Sequence, residues 1–361
     1  MHSLEGKLKT LFIVSAVALS FIGLAFVHSA GSYWGTVHYA DSSPFIIKQA
    51  IYMAVSVGIA MVIMKSPLTS SPKMWTVFYF VVILLLVAVL IPGIGAVRNG
   101  SQSWIAFGPF SVQPAEFIKV ALIGKLACAM NDTRGKGVFR FSHFGLILLP
   151  FGLIMMQPDL GSGVIMIVSA FVILFVAGYP LKFFAFLGAG GLLSFIALIA
   201  AAPYRLARIK SYIDPWSDPR GAGYQGIQSL FAIAPGGLVG HGYGNSRQKY
   251  LYLPEPQNDF IFSIIAEELG FIGATVVLLL FVLLLVTTFG IAIRTKGRYA
   301  FLMVAGMGSM IIFQTFLNVG VVSGLLPVTG VTLPFISYGG SSLMTTWMAV
   351  GVIMHFAGSK K

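Results

Sequence analysis

Leu253-Pro254-Glu255-Pro256-Gln257-Asn258-Asp259-Phe260 closes a polar interruption, Pro203 to Asp259, in a chain that is otherwise a succession of apolar runs. The interruption holds Arg205, Arg208, Lys210, Arg220, Arg247 and Lys249 with Asp214, Asp218, Glu255 and Asp259, although only 9% of the 361 residues are charged. On both sides of it the runs approach the roughly 20 residues that a helix needs to cross a bilayer core. Soluble domains carry about 25% charged residues; a mean hydropathy of +0.90 and 57% hydrophobic residues exclude that class. The sequence therefore predicts an all-α polytopic membrane protein, because a helix satisfies its own backbone where no water can.

Apolar runs near residues 10–28, 45–64, 74–92, 115–131, 144–157, 162–179, 184–202, 260–290, 299–322 and 341–357 predict about ten transmembrane helices. They form a single domain, 1–361, with 203–259 as a long extracellular loop between the seventh and eighth. With ten spans the termini and the even-numbered loops share one side. That side collects Lys7, Lys9, Lys65, Lys73, Arg134, Lys136, Arg140, Lys182, Arg294, Lys296, Arg298, Lys360 and Lys361. The positive-inside bias makes it cytoplasmic, with both termini. Leu11 to Val27 also has the outline of a signal peptide ending near Ala30, but its length and the spans behind it favour an uncleaved first helix. Cys128 is the single cysteine and offers no intrachain disulfide.

A formal charge of +12 would suggest nucleic acid in a soluble protein. Here the basic residues sit in short loops, so the charge reports topology and no nucleic-acid partner is expected. The cations of the long loop need another account: a solvated surface, or an anion site facing the outer leaflet. Loops much beyond about 15 residues are usually functional or disordered, and this one is too rich in aromatic and aliphatic residues to be disordered.

Five stretches carry candidate chemistry. Gln113-Pro114-Ala115-Glu116-Phe117-Ile118-Lys119 opens the fourth span and sets Glu116 and Lys119 on one helix face. Intramembrane charge is a functional hypothesis by default, and a mutually neutralising structural pair is the alternative. Before it, Arg98-Asn99-Gly100-Ser101-Gln102-Ser103-Trp104 places a cation and an indole at the outer interface. Asp159, in Gln157-Pro158-Asp159-Leu160-Gly161, reads equally as a helix N-cap or as the polar floor of an outward cavity. The eighth span, with Asn258 as its cap, would align Asp259, Ser263 and Glu267 toward one cavity, while of the neighbours Glu267 and Glu268 at least one needs a cation. From Asn318 to Ser342, prolines and paired glycines rule out a simple helix. Its free N–H groups and hydroxyls, Ser337 among them, suit a polar headgroup or tight packing. Phosphate-bearing lipid fits the cations, and a sugar acceptor needs a carboxylate to take its proton.

These motifs, with Gly324 through Ser342, closely resemble the SEDS family of cell-wall proteins over essentially the whole chain. Pro327-Val328-Thr329-Gly330-Val331-Thr332-Leu333-Pro334-Phe335-Ile336-Ser337-Tyr338-Gly339-Gly340-Ser341-Ser342 is closer to the FtsW and SpoVE branch than to RodA, and the short tails point to a SpoVE-like member. The resemblance implies a bacterial cytoplasmic-membrane peptidoglycan glycosyltransferase that polymerises lipid II and works with a class B penicillin-binding protein, a transpeptidase. It implies that Asp259 is the essential loop aspartate, with Glu116, Lys119 and Asp159 as further matched positions. Asp259 is then the general base, and Arg205, Arg208, Lys210, Arg98 and Lys119 offset the charge of the departing undecaprenyl pyrophosphate. A divalent cation, Mg or Mn, is a candidate for sharing that task, with no ligand cluster to identify it. A helix N-terminus and nearby cations are expected to lower the pKa of Asp259. A lipid II flippase and a non-enzymatic scaffold for a transpeptidase are the alternatives.

Overall fold

A computed structural model of the protein describes residues 2–39, 41, 43–98, 101–108, 110–131, 141–188, 190 and 212–358. The elements are α1 (His2–Tyr39), α2 (Pro44–Lys65), α3 (Pro72–Leu90), β1 (Gly95–Arg98), β2 (Ser101–Phe107), β3 (Phe110–Val112), α4 (Pro114–Asn131), α5 (Phe141–Met156) and α6 (Leu160–Val176). After them come α7 (Tyr224–Ile233), α8 (Ile261–Ala292), α9 (Arg298–Val322) and α10 (Gly340–Gly358). Nine expected spans coincide with α1–α6 and α8–α10. The seventh lies largely outside the described residues, as do Arg205, Arg208 and Lys210.

Five helices, α1, α2, α3, α8 and α9, are long and apolar enough to cross a membrane by length and composition. The chain is a multi-pass membrane protein. Pro44 and Pro72 open α2 and α3 at the first turn, where a missing N–H costs nothing. Helix α4 is central: it packs on α3, α5, α6, α9 and α10, and its Glu116 and Lys119 are buried among them. That position explains how a helix carrying charge is tolerated.

The helical reading gains one addition, an antiparallel three-stranded sheet ordered β1-β2-β3 between α3 and α4. Arg98 pairs with Ser101 and Phe107 with Phe110. Residues 323–339 run without a helix between α9 and α10, as the prolines and glycines required. They press so closely on α1 that a Cβ on Gly23 would lie 2.5 Å from the Phe335 carbonyl oxygen.

Helix α8 starts at Ile261 with Phe260 at the N-cap and no side-chain cap. The expected capping residue, Asn258, instead donates to Glu255 Oε2 at 2.6 Å. The helix breaks at Gly270, whose φ of 65° and ψ of −165° are open only to glycine. The polar loop fills the break. Phe271 and Ile272 N–H donate to the Gly237 and Leu238 carbonyls, while the Glu267 and Glu268 carbonyls accept from His241 and Gly242 N–H.

Candidate active site

Two amides on one face of α9 tie Glu116, Lys119 and the Asp259 backbone into one network. Lys119 Nζ donates to Glu116 Oε1 at 2.8 Å and to Gln314 Oε1 at 2.9 Å. Gln314 Nε2 donates onward to the Thr332 carbonyl and hydroxyl and to Ser342 Oγ, at 3.1, 3.1 and 3.2 Å. The second Glu116 oxygen accepts from Thr345 Oγ1 at 3.1 Å. The buried pair is thus neutralised and hydrogen-bonded on both sides, which is what burying two charges demands. One turn along α9, Asn318 Nδ2 donates to the carbonyls of Asp259 at 2.6 Å and Val331 at 2.7 Å.

Tyr338 N–H donates to the Gln257 carbonyl at 2.9 Å, a second tie between the Asp259 loop and residues 323–339. Ser337 lies within this joint but is inward-facing. Its Oγ accepts from Leu333 N–H at 2.7 Å, and its carbonyl accepts from Gln49 Nε2 at 3.1 Å. Leu251, Glu255 and Phe335 hold positive φ angles of 66°, 43° and 66° without being glycine, a backbone cost that the surrounding packing sustains.

Asp259 itself is half-buried. Among the described residues no cation lies within ion-pair distance of it; the ion pairs there are Lys119–Glu116 and Lys249–Glu268. Loss of solvent raises its pKa to about 7, its own backbone N–H lowers it and the Glu255 carboxylate adds to the rise. The expected lowering is therefore corrected. The helix begins two residues later, and desolvation outweighs the N-terminal field. Beside it, the buried Gln257 Oε1 and Asn318 Oδ1 have no hydrogen-bond partner among the described residues.

Asp159 is the N-cap of α6, with Oδ1 accepting from Ser162 N–H at 3.0 Å and Oδ2 from Gln113 Nε2 at 2.9 Å. Gln113 N–H in turn donates to Ser341 Oγ at 2.9 Å, which links Asp159 to α10. Arg98 is placed by its backbone at the end of β1.

Glu267 stands apart. It accepts from Ser246 Oγ at 2.5 Å, Arg247 N–H at 2.7 Å and Gln248 N–H at 3.4 Å, so it holds the loop. Its neighbour Glu268 accepts from Ser29 Oγ at 2.6 Å, Gly244 N–H at 2.9 Å and Ser246 N–H at 3.2 Å, and lies 3.7 Å from Lys249 Nζ. Ser263 Oγ turns back to the Phe260 carbonyl. The expected stripe of Asp259, Ser263 and Glu267 therefore does not line one cavity. Gln314 and Asn318, missed as site residues, were visible as two amides four apart in an apolar helix.

The sequence profile described as cell cycle protein, FtsW/RodA/SpoVE, matches residues 9–361. The chain belongs to the FtsW/RodA/SpoVE family. It is 47% identical over 351 residues to stage V sporulation protein E of Bacillus subtilis (strain 168), covering 96% of this chain and 95% of that one. It is 37% identical to a protein named probable peptidoglycan glycosyltransferase FtsW of Pseudomonas fluorescens (strain SBW25), covering 95% and 86%. Among solved structures it is similar to a chain of a peptidoglycan synthase complex that coordinates polymerization and crosslinking, at TM-score 0.78, 30% identity and 96% coverage of both chains. It is also similar to the rod shape determining protein RodA of Thermus thermophilus, at TM-score 0.70 and 26% identity, covering 96% and 95%. As a family member the chain carries its polar network where α4, α9, residues 323–339 and the Asp259 loop meet.

Proposed function

We infer that this chain is a peptidoglycan glycosyltransferase that polymerises lipid II on the outer face of the bacterial cytoplasmic membrane. The relatives named as such support the activity. The observation that carries the site is Asp259: its carboxyl is half-buried with no ion-pair partner among the described residues, and its backbone carbonyl is tied by Asn318 to the network of the Glu116–Lys119 pair. A carboxyl titrating near neutrality is matched to general-base work.

In the proposed step the Asp259 carboxylate takes the proton of the acceptor GlcNAc 4-hydroxyl. That oxygen forms a bond to the anomeric carbon of the donor MurNAc, the bond to the phosphate oxygen breaks, the centre inverts and undecaprenyl pyrophosphate leaves. Gln257 Oε1 and Asn318 Oδ1, buried acceptors without donors among the described residues, suit sugar hydroxyls. Arg98, Arg205, Arg208 and Lys210 remain the proposed pyrophosphate cations. Lys119 acts through the network, since Glu116 and Gln314 occupy its ammonium.

Among the described residues no three His, Cys, Asp or Glu side chains come together, whereas Mg²⁺ is commonly held by one or two carboxylates with substrate phosphates. A Mg or Mn ion serving the pyrophosphate would rest mainly on the substrate's own oxygens. Polymerisation is proposed to be coupled to a class B penicillin-binding protein, in keeping with the similarity to a synthase-complex chain.

The test is a glycan-chain assay of purified protein with lipid II, alone and with a candidate transpeptidase. Asp259→Asn should lose polymer while keeping its fold and its transpeptidase binding. Near-normal polymer yield from that variant would remove Asp259 from the chemistry.

A further inference from the structure

The end of the bundle away from the Asp259 loop contains a second polar concavity. Lys9 of α1, Lys65 at the end of α2, Ser70 of the turn that follows, and Met354 and His355 of α10 line a cavity of about 590 Å³, with Met64 at its wall. Along α1, Lys9 lies about 30 Å from Ser29, which touches the loop-holding carboxylates. The cavity thus belongs to neither the Asp259 network nor the Glu267–Glu268 cradle.

Its lining has one charge sign. Among the described residues two lysines border it and no carboxylate does; Glu5, one turn before Lys9 on α1, is not in the lining. His355 Nδ1 lies 3.1 Å from the Met64 carbonyl, which can only accept, so that nitrogen carries the proton. Nε2 and the Ser70 hydroxyl lie 2.7 Å apart at the wall. Met64 and Met354 add apolar surface, and next to them on α2 Met61 and Val62 are 50% and 68% exposed on a membrane-spanning helix. The mouth of the cavity therefore adjoins lipid.

We propose that this cavity binds a phosphate-bearing anion. Lys9 and Lys65 meet its charge. The methionine wall and the neighbouring lipid-facing surface favour an anionic phospholipid headgroup over free phosphate as the source. On the sidedness proposed above, the lipid comes from the cytoplasmic leaflet; recognition of phosphate does not depend on that assignment.

Native mass spectrometry of the purified full chain, titrated in detergent with phosphatidylglycerol, phosphatidylcholine and inorganic phosphate, tests the site. Phosphatidylglycerol should be retained over phosphatidylcholine. Lys9→Gln and Lys65→Gln should each weaken retention about fivefold. Lys73→Gln, an exposed lysine outside the lining, should leave it unchanged. Phosphatidylglycerol binding tighter than inorganic phosphate identifies the lipid source, and equal lysine-dependent binding identifies free phosphate; both sustain phosphate recognition. Equal retention of the two lipids, or an equal loss on Lys73→Gln, overturns the site. The measurement reads neither polymerisation nor sidedness, so its failure leaves the glycosyltransferase reading intact, and inactivity of the enzyme leaves this site intact.

Discussion

Glu267 and Glu268 lie just inside α8 and Asp259 just before it, yet the two surroundings are opposite. The glutamates are buried and are met by backbone N–H groups, by the hydroxyls of Ser29 and Ser246 and, at Glu268, by the Lys249 ammonium. Asp259 is half-buried and has no ion-pair partner among the described residues, and its pKa rises to about 7. This contrast separates structural carboxylates from one that is free for chemistry. The Glu267 and Glu268 oxygens are already occupied by donors, whereas at Asp259 desolvation dominates and leaves a group able to exchange a proton near neutral pH.

The contrast is most exposed to test at Asp259. Asp259→Asn should lower kcat by about 10²–10⁴-fold, the span of general-base catalysis, in a lipid II polymerisation assay, with melting at neutral pH no lower than wild type. Next in size is the loop cradle. Gly270→Ala should cost about 3 kcal/mol, because the break in α8 needs a backbone that alanine cannot adopt, and proteolysis of the 237–249 loop would report it. Glu267→Gln should lose activity in parallel with loop protection while the pH dependence of the remaining activity stays that of wild type; a shifted profile would make Glu267 part of the proton chemistry.

Titration tests Asp259 directly. Polymerisation should rise with pH and level off above about 7, as Asp259 ionises. Stability moves the other way. The folded pKa lies above the unfolded value near 3.8, so this group's contribution is full below that value and is lost as pH rises through about 7. Thermal melting of wild type should therefore decline over that window relative to Asp259→Asn. The smallest effect expected is from Ser246→Ala, which removes one hydroxyl from Glu267 and should cost about 1–3 kcal/mol of loop stability with catalysis at saturating lipid II unchanged.

Much of this was legible in the chain, for identifiable reasons. The spans could be read because apolar runs of the right length have few other uses, and Glu116 with Lys119 because three residues is a helical repeat. The need of Glu267 or Glu268 for a cation was also legible, and Lys249 fills it. The sheet was not read, although Asn99-Gly100 between Arg98 and Ser101 is a strong hairpin signal. The role of Glu267 was hidden because its main partners are backbone N–H groups of Arg247 and Gln248, which no side-chain pattern announces.

Hydropathy and local spacing are written in the chain, and they were enough to specify a multi-pass helical protein, the motifs of its family and the identity of its ionisable residues. Which of those residues are free was settled by the tertiary fold alone. Saturation and desolvation depend on partners brought from distant segments: Asn318 donating to the Asp259 carbonyl, Gln314 accepting from Lys119, and the 241–249 loop donating to Glu267 and Glu268.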